Sequence, residues 1–118
     1  MAHAWDHAVS SAKRLGGTPE AHFVVHEFLD DTKRCYADFR HRALRHHAEG
    51  IFLAERVLGV TIDNGEGKAL PVRVIAEQHV REDLGGWIPT AQDWLRHIKP
   101  ERWMLRGAIA NDEPRVVA

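Results

Sequence analysis

The 118 residues carry 16 lysines and arginines against 17 aspartates and glutamates, a net charge of −1 with histidine neutral, which gives no field that would draw nucleic acid or an acidic ligand on charge alone. The single cysteine, Cys35, excludes an internal disulfide and a four-cysteine zinc site. No window approaches the ~18 apolar residues of a membrane span, and a chain of this length buries enough surface to fold without a structural metal.

In chain order, Trp5, Ala8, Val9, Ala12 and Leu15 recur at helical spacing, so the pattern predicts a first helix over Ala4–Leu15 that Gly16 ends. Thr18 is a good N-cap and Pro19 suits the first helical position, opening a second helix that runs to about Lys33. The third and longest helix is expected from about Ala37 to Leu58, interrupted by Gly50 and ended by Gly59. Val60-Thr61-Ile62 and Ala69-Leu70 flank the glycine-rich stretch 63–67 and read as a short hairpin. Pro71 opens a fourth helix over about Val72–Leu84, and Thr90 caps a fifth to about Ile98. Trp87, Trp94 and Trp103 are expected to form a C-terminal core cluster, and Cys35 reads as structural. The expectation is a mainly α fold, a compact bundle of about five helices with a small β-hairpin between helices three and four. Residues 1–107 are expected to form one globular domain and 108–118 a flexible tail. The first residues show no basic stretch followed by an apolar one, and the cysteine usage suits a reducing compartment, so the expected location is cytoplasmic.

Nine histidines are the most unusual feature of the composition. Pairs at i and i+4 share a helix face and can grip one ion. His22 and His26 have that spacing but fall at the edge of an apolar stripe, as boundary residues. His3 and His7 have it too, and are ligand-binding candidates beside Ser10, Ser11 and Arg14. On an unbroken third helix, at about 100° per residue, His47 falls at the rim of the apolar arc, with His41 and Glu55 inside it and His46 pointing away. Glu55 among Leu44, Ile51 and Leu58 needs a partner, because an unpaired buried carboxylate is costly.

His79 and Asp83 lie one turn apart on the inner side of the fourth helix, and a carboxylate beside a histidine fixes its tautomer and raises its basicity. The nine histidines thus reduce to two that face inward on separate helices, His47 and His79, with Asp83 and Glu55 as the carboxylates. Such a set suits zinc, manganese, iron or nickel. Arg40, Arg42 and Arg45 are candidates for binding phosphate, weighed against a solvated helix face.

The stretches Arg45-His46-His47-Ala48-Glu49-Gly50-Ile51-Phe52 and Glu77-Gln78-His79-Val80-Arg81-Glu82-Asp83-Leu84-Gly85, with His7–Lys13 and Gly16–Glu20, resemble a family of small uncharacterised bacterial and phage proteins, a domain of unknown function. The resemblance spans about residues 7–95 and implies a bacterial or phage cytosolic setting, with no activity attached. A second resemblance is to helical metal-dependent phosphohydrolases with a histidine, a His-Asp doublet and a later aspartate. Here the doublet is His46-His47.

Three readings follow. The first is a protein with a histidine/carboxylate pocket for a divalent metal, with hydrolysis as the chemistry it would support. The second is a non-catalytic interaction or inhibitor module, acting on a protein partner or as a homodimer. The third is a nucleotide or phosphate binder. A membrane partner is not expected, and nucleic acid is disfavoured by the charge.

Overall fold

The computed structural model describes residues 3–108. Among them are six α-helices and one two-stranded antiparallel sheet: α1 (Ala4–Leu15), α2 (Pro19–Asp30), α3 (Arg42–Arg45), α4 (Ala48–Leu58), β1 (Thr61–Asp63), β2 (Ala69–Pro71), α5 (Val72–Asp83) and α6 (Ala91–Leu95). Single 3-10 turns follow α2 at Asp31–Arg34, precede α3 at Phe39–His41 and close the described chain at Arg102–Leu105. The fold is mainly α with a hairpin among the helices, as the periodicity predicts. No helix among the described residues is long and apolar enough to cross a membrane.

The link from α1 to α2 is held by local chemistry. Thr18 Oγ1 accepts a hydrogen bond from the Ala21 amide, and the Thr18 amide donates to Asn64 O at 2.8 Å. Gly17 (φ +93°) lies so close to Asn64 that a Cβ would fall 2.1 Å from its carbonyl oxygen, which requires glycine on both conformational and steric grounds. The hairpin pairs Thr61 with Pro71, Ile62 with Leu70 and Asp63 with Ala69. Asn64 Oδ1 accepts from the Glu66 and Lys68 amides and so shapes its turn.

The interior has two compartments that share α2 and α5. The apolar one contains Val25 and Leu29 of α2, Ile51 and Ala54 of α4, Leu70 of β2, and Val72, Ile75, Ala76 and Val80 of α5. Each large aliphatic side chain buried there contributes about 1.5–3 kcal/mol. The other compartment is polar. His22, His26 and Asp30 recur every four residues along α2, as do His79 and Asp83 along α5, so one face of each helix is set aside for polar groups.

Several elements differ from the sequence expectation. The second helix ends at Asp30 and tightens into a 3-10 turn, leaving Cys35 exposed rather than built into the core. The fifth helix stops at Leu95. Trp87 and Trp103 are 58% and 71% exposed, so the expected tryptophan cluster does not form. The flexible tail expected for 108–118 lies, from residue 109 on, outside the described residues.

The largest departure is in the third helix, which is broken into a 3-10 turn, α3 and α4. The break falls at His46 (φ −86°, ψ 66°) and His47 (φ −163°, ψ 173°). His47 caps α4: its Nδ1 accepts from the Gly50 amide at 3.0 Å and its Nε2 donates to Ala43 O at 3.1 Å. Gly50 permits the bend, because a Cβ there would fall 1.9 Å from Arg45 O. The Arg45 guanidinium donates to Phe28 O at 2.6 Å and lies over the Phe28 ring, while Trp94 Nε1 donates to His46 O at 3.0 Å.

Candidate metal centre

Seven of the nine histidines are buried: His7, His22, His26, His41, His46, His47 and His79. This corrects the expectation that the nine reduce to two inward-facing histidines, with His22 and His26 as boundary residues. A helix edge read alone shows half a contact. α1 packs along α2 and supplies Ser11, which is fully buried and 2.8 Å from both His22 Nδ1 and His26 Nε2.

At the centre of the polar compartment, Asp30, His46, His79 and Asp83 each present a donor atom, all within 4.8 Å of one another. His46 Nε2 is 3.2 Å from His79 Nε2, 3.0 Å from Asp83 Oδ2 and 3.4 Å from Asp30 Oδ1. His79 Nε2 is 3.1 Å from Asp30 Oδ1 and 3.2 Å from Asp83 Oδ2. Asp30 comes from the last residue of α2, His46 from the bend before α4, and His79 and Asp83 from successive turns of α5. The bend turns His46 inward, because the chain leaves helical geometry at that residue.

Two carboxylates this deep need compensation. Burial alone would raise the Asp30 carboxyl, but His46 and His79, with Lys33 Nζ 3.6 Å from Oδ2, hold it well below the usual carboxylate range. Burial likewise opposes ionisation of Asp83, and His46, His7 and His79 outweigh it and hold that group low. Arg42 adds a cation 3.7 Å from Asp83 Oδ1. Burial also disfavours a charged His46, yet the two aspartates prevail and raise its pKa. The same contest raises His7, set between Asp83 Oδ1 at 3.0 Å and Glu82 Oε1 at 2.8 Å. Deeper in, burial and the neighbouring histidines push His26 down to about 2. His41, facing Thr32 Oγ1 at 2.9 Å, is pushed down to about 4 by burial and by His46. Asp30 Oδ2 and His46 Nδ1 are buried with no hydrogen-bond partner.

The structure thus brings together two of the expected donors, His79 and Asp83, with two others, Asp30 and His46. His47 lies outside the set, both ring nitrogens bonded to backbone. Glu55 is half-buried on α4 and is not among the converging donors. His3 is exposed at the start of α1, whereas His7 touches the cluster through Asp83. Arg40, Arg42 and Arg45 are engaged in three separate places, with Asp38, Asp83 and Phe28 respectively. Asp30 and His46 were the donors the sequence reading missed. The available signal was the His22, His26, Asp30 stripe at four-residue spacing, together with an aspartate at a helix C-terminus, where the dipole disfavours it.

Residues 2–104 match one protein family, described as a domain of unknown function (DUF6915). No curated protein and no solved structure matches the chain.

Proposed function

The chain belongs to the DUF6915 family, and from that premise we propose that it is a divalent-metal-binding protein in which Asp30, His46, His79 and Asp83 form a closed, four-ligand site. One observation carries the reading. Five of the six separations among the four donor atoms lie between 3.0 and 3.4 Å, and the sixth, between the two aspartates, falls within 4.8 Å. A point equidistant from four atoms so spaced lies about 2–2.4 Å from each, a range that includes the length of zinc bonds to histidine nitrogen and carboxylate oxygen.

Two nitrogens and two oxygens in that geometry favour zinc over manganese, which takes more oxygen-rich and higher-coordinate surroundings. Because all four positions are filled by protein atoms, none is left for a water or substrate, so the ion joins α2, the His46 bend and α5 rather than supporting hydrolysis. His7 steadies the set from outside through Asp83, as Lys33 does through Asp30. A bacterial or phage cytosolic setting belongs to the same proposal.

The test is metal analysis of the purified protein followed by calorimetric titration of zinc and of manganese into wild type and His79→Ala. One zinc per chain, taken up in preference to manganese and lost in the variant, supports the reading. Wild type that binds neither ion above background overturns it.

A second reading, an interaction module, rests on a different observation. A largely apolar pocket of about 390 Å³ is lined by Leu84, Trp87, Pro89 and Trp94 together with Asp93, Arg96 and His97. Sedimentation of the protein over a range of concentrations tests whether that face pairs copies of the chain.

A further inference from the structure

We propose that His22, Ser11 and His26 are positioning residues that lock His79 in the tautomer whose Nε2 carries a bare lone pair. The proposal rests on the metal reading above and adds how the protein prepares one ligand for the ion.

Donor and acceptor accounting runs along four buried side chains, anchored at one end on a backbone carbonyl. It starts at Gly16 O, 2.8 Å from His22 Nε2. A carbonyl oxygen can only accept, so His22 Nε2 carries the proton and, in the neutral ring, His22 Nδ1 is left as an acceptor. Ser11 Oγ, 2.8 Å away, therefore donates to it. With its proton so placed, Ser11 Oγ accepts from His26 Nε2 at 2.8 Å. His26 Nδ1 is then an acceptor, and it faces His79 Nδ1 at 2.9 Å. His79 must supply the proton from Nδ1, which in the neutral ring leaves its Nε2 bare.

Running the chain the other way would set the His22 Nε2 lone pair against the Gly16 carbonyl oxygen, two acceptors 2.8 Å apart. Ser11 has another acceptor in Ala8 O, but at 3.4 Å it is the longer contact, and choosing it would strand His22 Nδ1. Ser11, His22, His26 and His79 are all 0% exposed, so a broken link has no solvent to turn to.

The outcome is a lone pair aimed between Asp30 Oδ1 and Asp83 Oδ2, at 3.1 and 3.2 Å. Toward those carboxylates alone a bare nitrogen is repelled. Toward a divalent cation shared with them it is the form a metal ligand takes. His46 differs, since its buried Nδ1 has no partner to fix its tautomer.

The decisive measurement is histidine nitrogen NMR on ¹⁵N-labelled, chelator-treated wild type at about pH 8, above the ordinary histidine range. The expected result is a proton on His79 Nδ1 and none on Nε2. A proton on Nε2, alone or together with Nδ1, overturns the proposal whether or not zinc binds, and so separates its failure from that of the metal reading. A second measurement is zinc affinity by competition with a chelator. Ser11→Ala and His22→Leu should lose about 10–100-fold, the usual effect of removing an outer partner of a ligand. His22→Gln, whose amide can donate to Gly16 and accept from Ser11, should recover most of it. Folded Ser11→Ala or His22→Leu protein with wild-type zinc affinity and a single His79 tautomer also overturns the proposal. If those variants do not fold, the wild-type spectrum decides.

Discussion

His46 and His79 bring their Nε2 atoms within 3.2 Å of each other across a sequence separation of 33 residues, and both reach the same two aspartate oxygens. Two imidazoles and two carboxylates meeting on one point are strongly cooperative, so removing any one donor should be felt by the others. Asp83→Asn keeps the volume and removes the charge. Zinc affinity, measured by competition with a chromophoric chelator, is expected to fall by more than about 100-fold, beyond what loss of an outer partner does. Near-wild-type affinity would take Asp83 out of the ligand set.

Stripping the ion should lower thermal stability. A ligand that binds only the native state contributes about 2.7 kcal/mol at a hundred times its Kd, which for a chain of this size is on the order of 10 °C in Tm. Calorimetric scans of zinc-loaded protein and of protein in excess chelator check this. Coincident scans would show that the ion does not join the elements as described.

The metal-free protein should weaken as pH falls below about 6.5, well above the carboxylate range. His26 and His41 have native pKa values pushed down to about 2 and about 4, against an unfolded value near 6.5. Below 6.5 the unfolded chain therefore binds more protons, and each ring removes up to about 1.4 kcal/mol per pH unit. The raised groups His7 and His46 contribute fully below 6.5 and lose their contribution only as pH rises through their native values, so they do not offset this slope. Urea midpoints between about pH 7 and pH 4.5 read the effect. A flat profile would mean that the buried rings accept protons without penalty.

Gly50→Ala should destabilise by about 3 kcal/mol, since its Cβ would meet the Arg45 carbonyl at 1.9 Å and backbone must move. Because that movement opens the bend that aims His46, zinc affinity should fall together with the urea midpoint. Stability lost with affinity intact would place His46 outside the site.

What could be read in the sequence follows the regularity of the chain. His79 and Asp83 lie on one unbroken helix, so a spacing of four residues was enough to pair them. His46 and His47 could not be assigned in the same way, since helical phase carries over only while the helix continues. One bend at those two residues exchanged the inward and the capping histidine. Gly50 was visible as an interruption, but its cause, the close approach of Arg45 O, is a tertiary fact. Asp30 was hidden by a helix expected to run three residues further, and the burial of His22 and His26 by the unread partner, Ser11 on α1.

The donors Asp30, His46, His79 and Asp83 come from three stretches that meet only after α2, the His46 bend and α5 have docked. An ion that needs all three has little to hold in a half-assembled chain. Zinc should therefore leave the rate of folding almost unchanged and slow the rate of unfolding. A newly made chain could reach its native form without waiting for metal, and would gain persistence afterwards, as resistance to proteolysis over time rather than as speed of assembly.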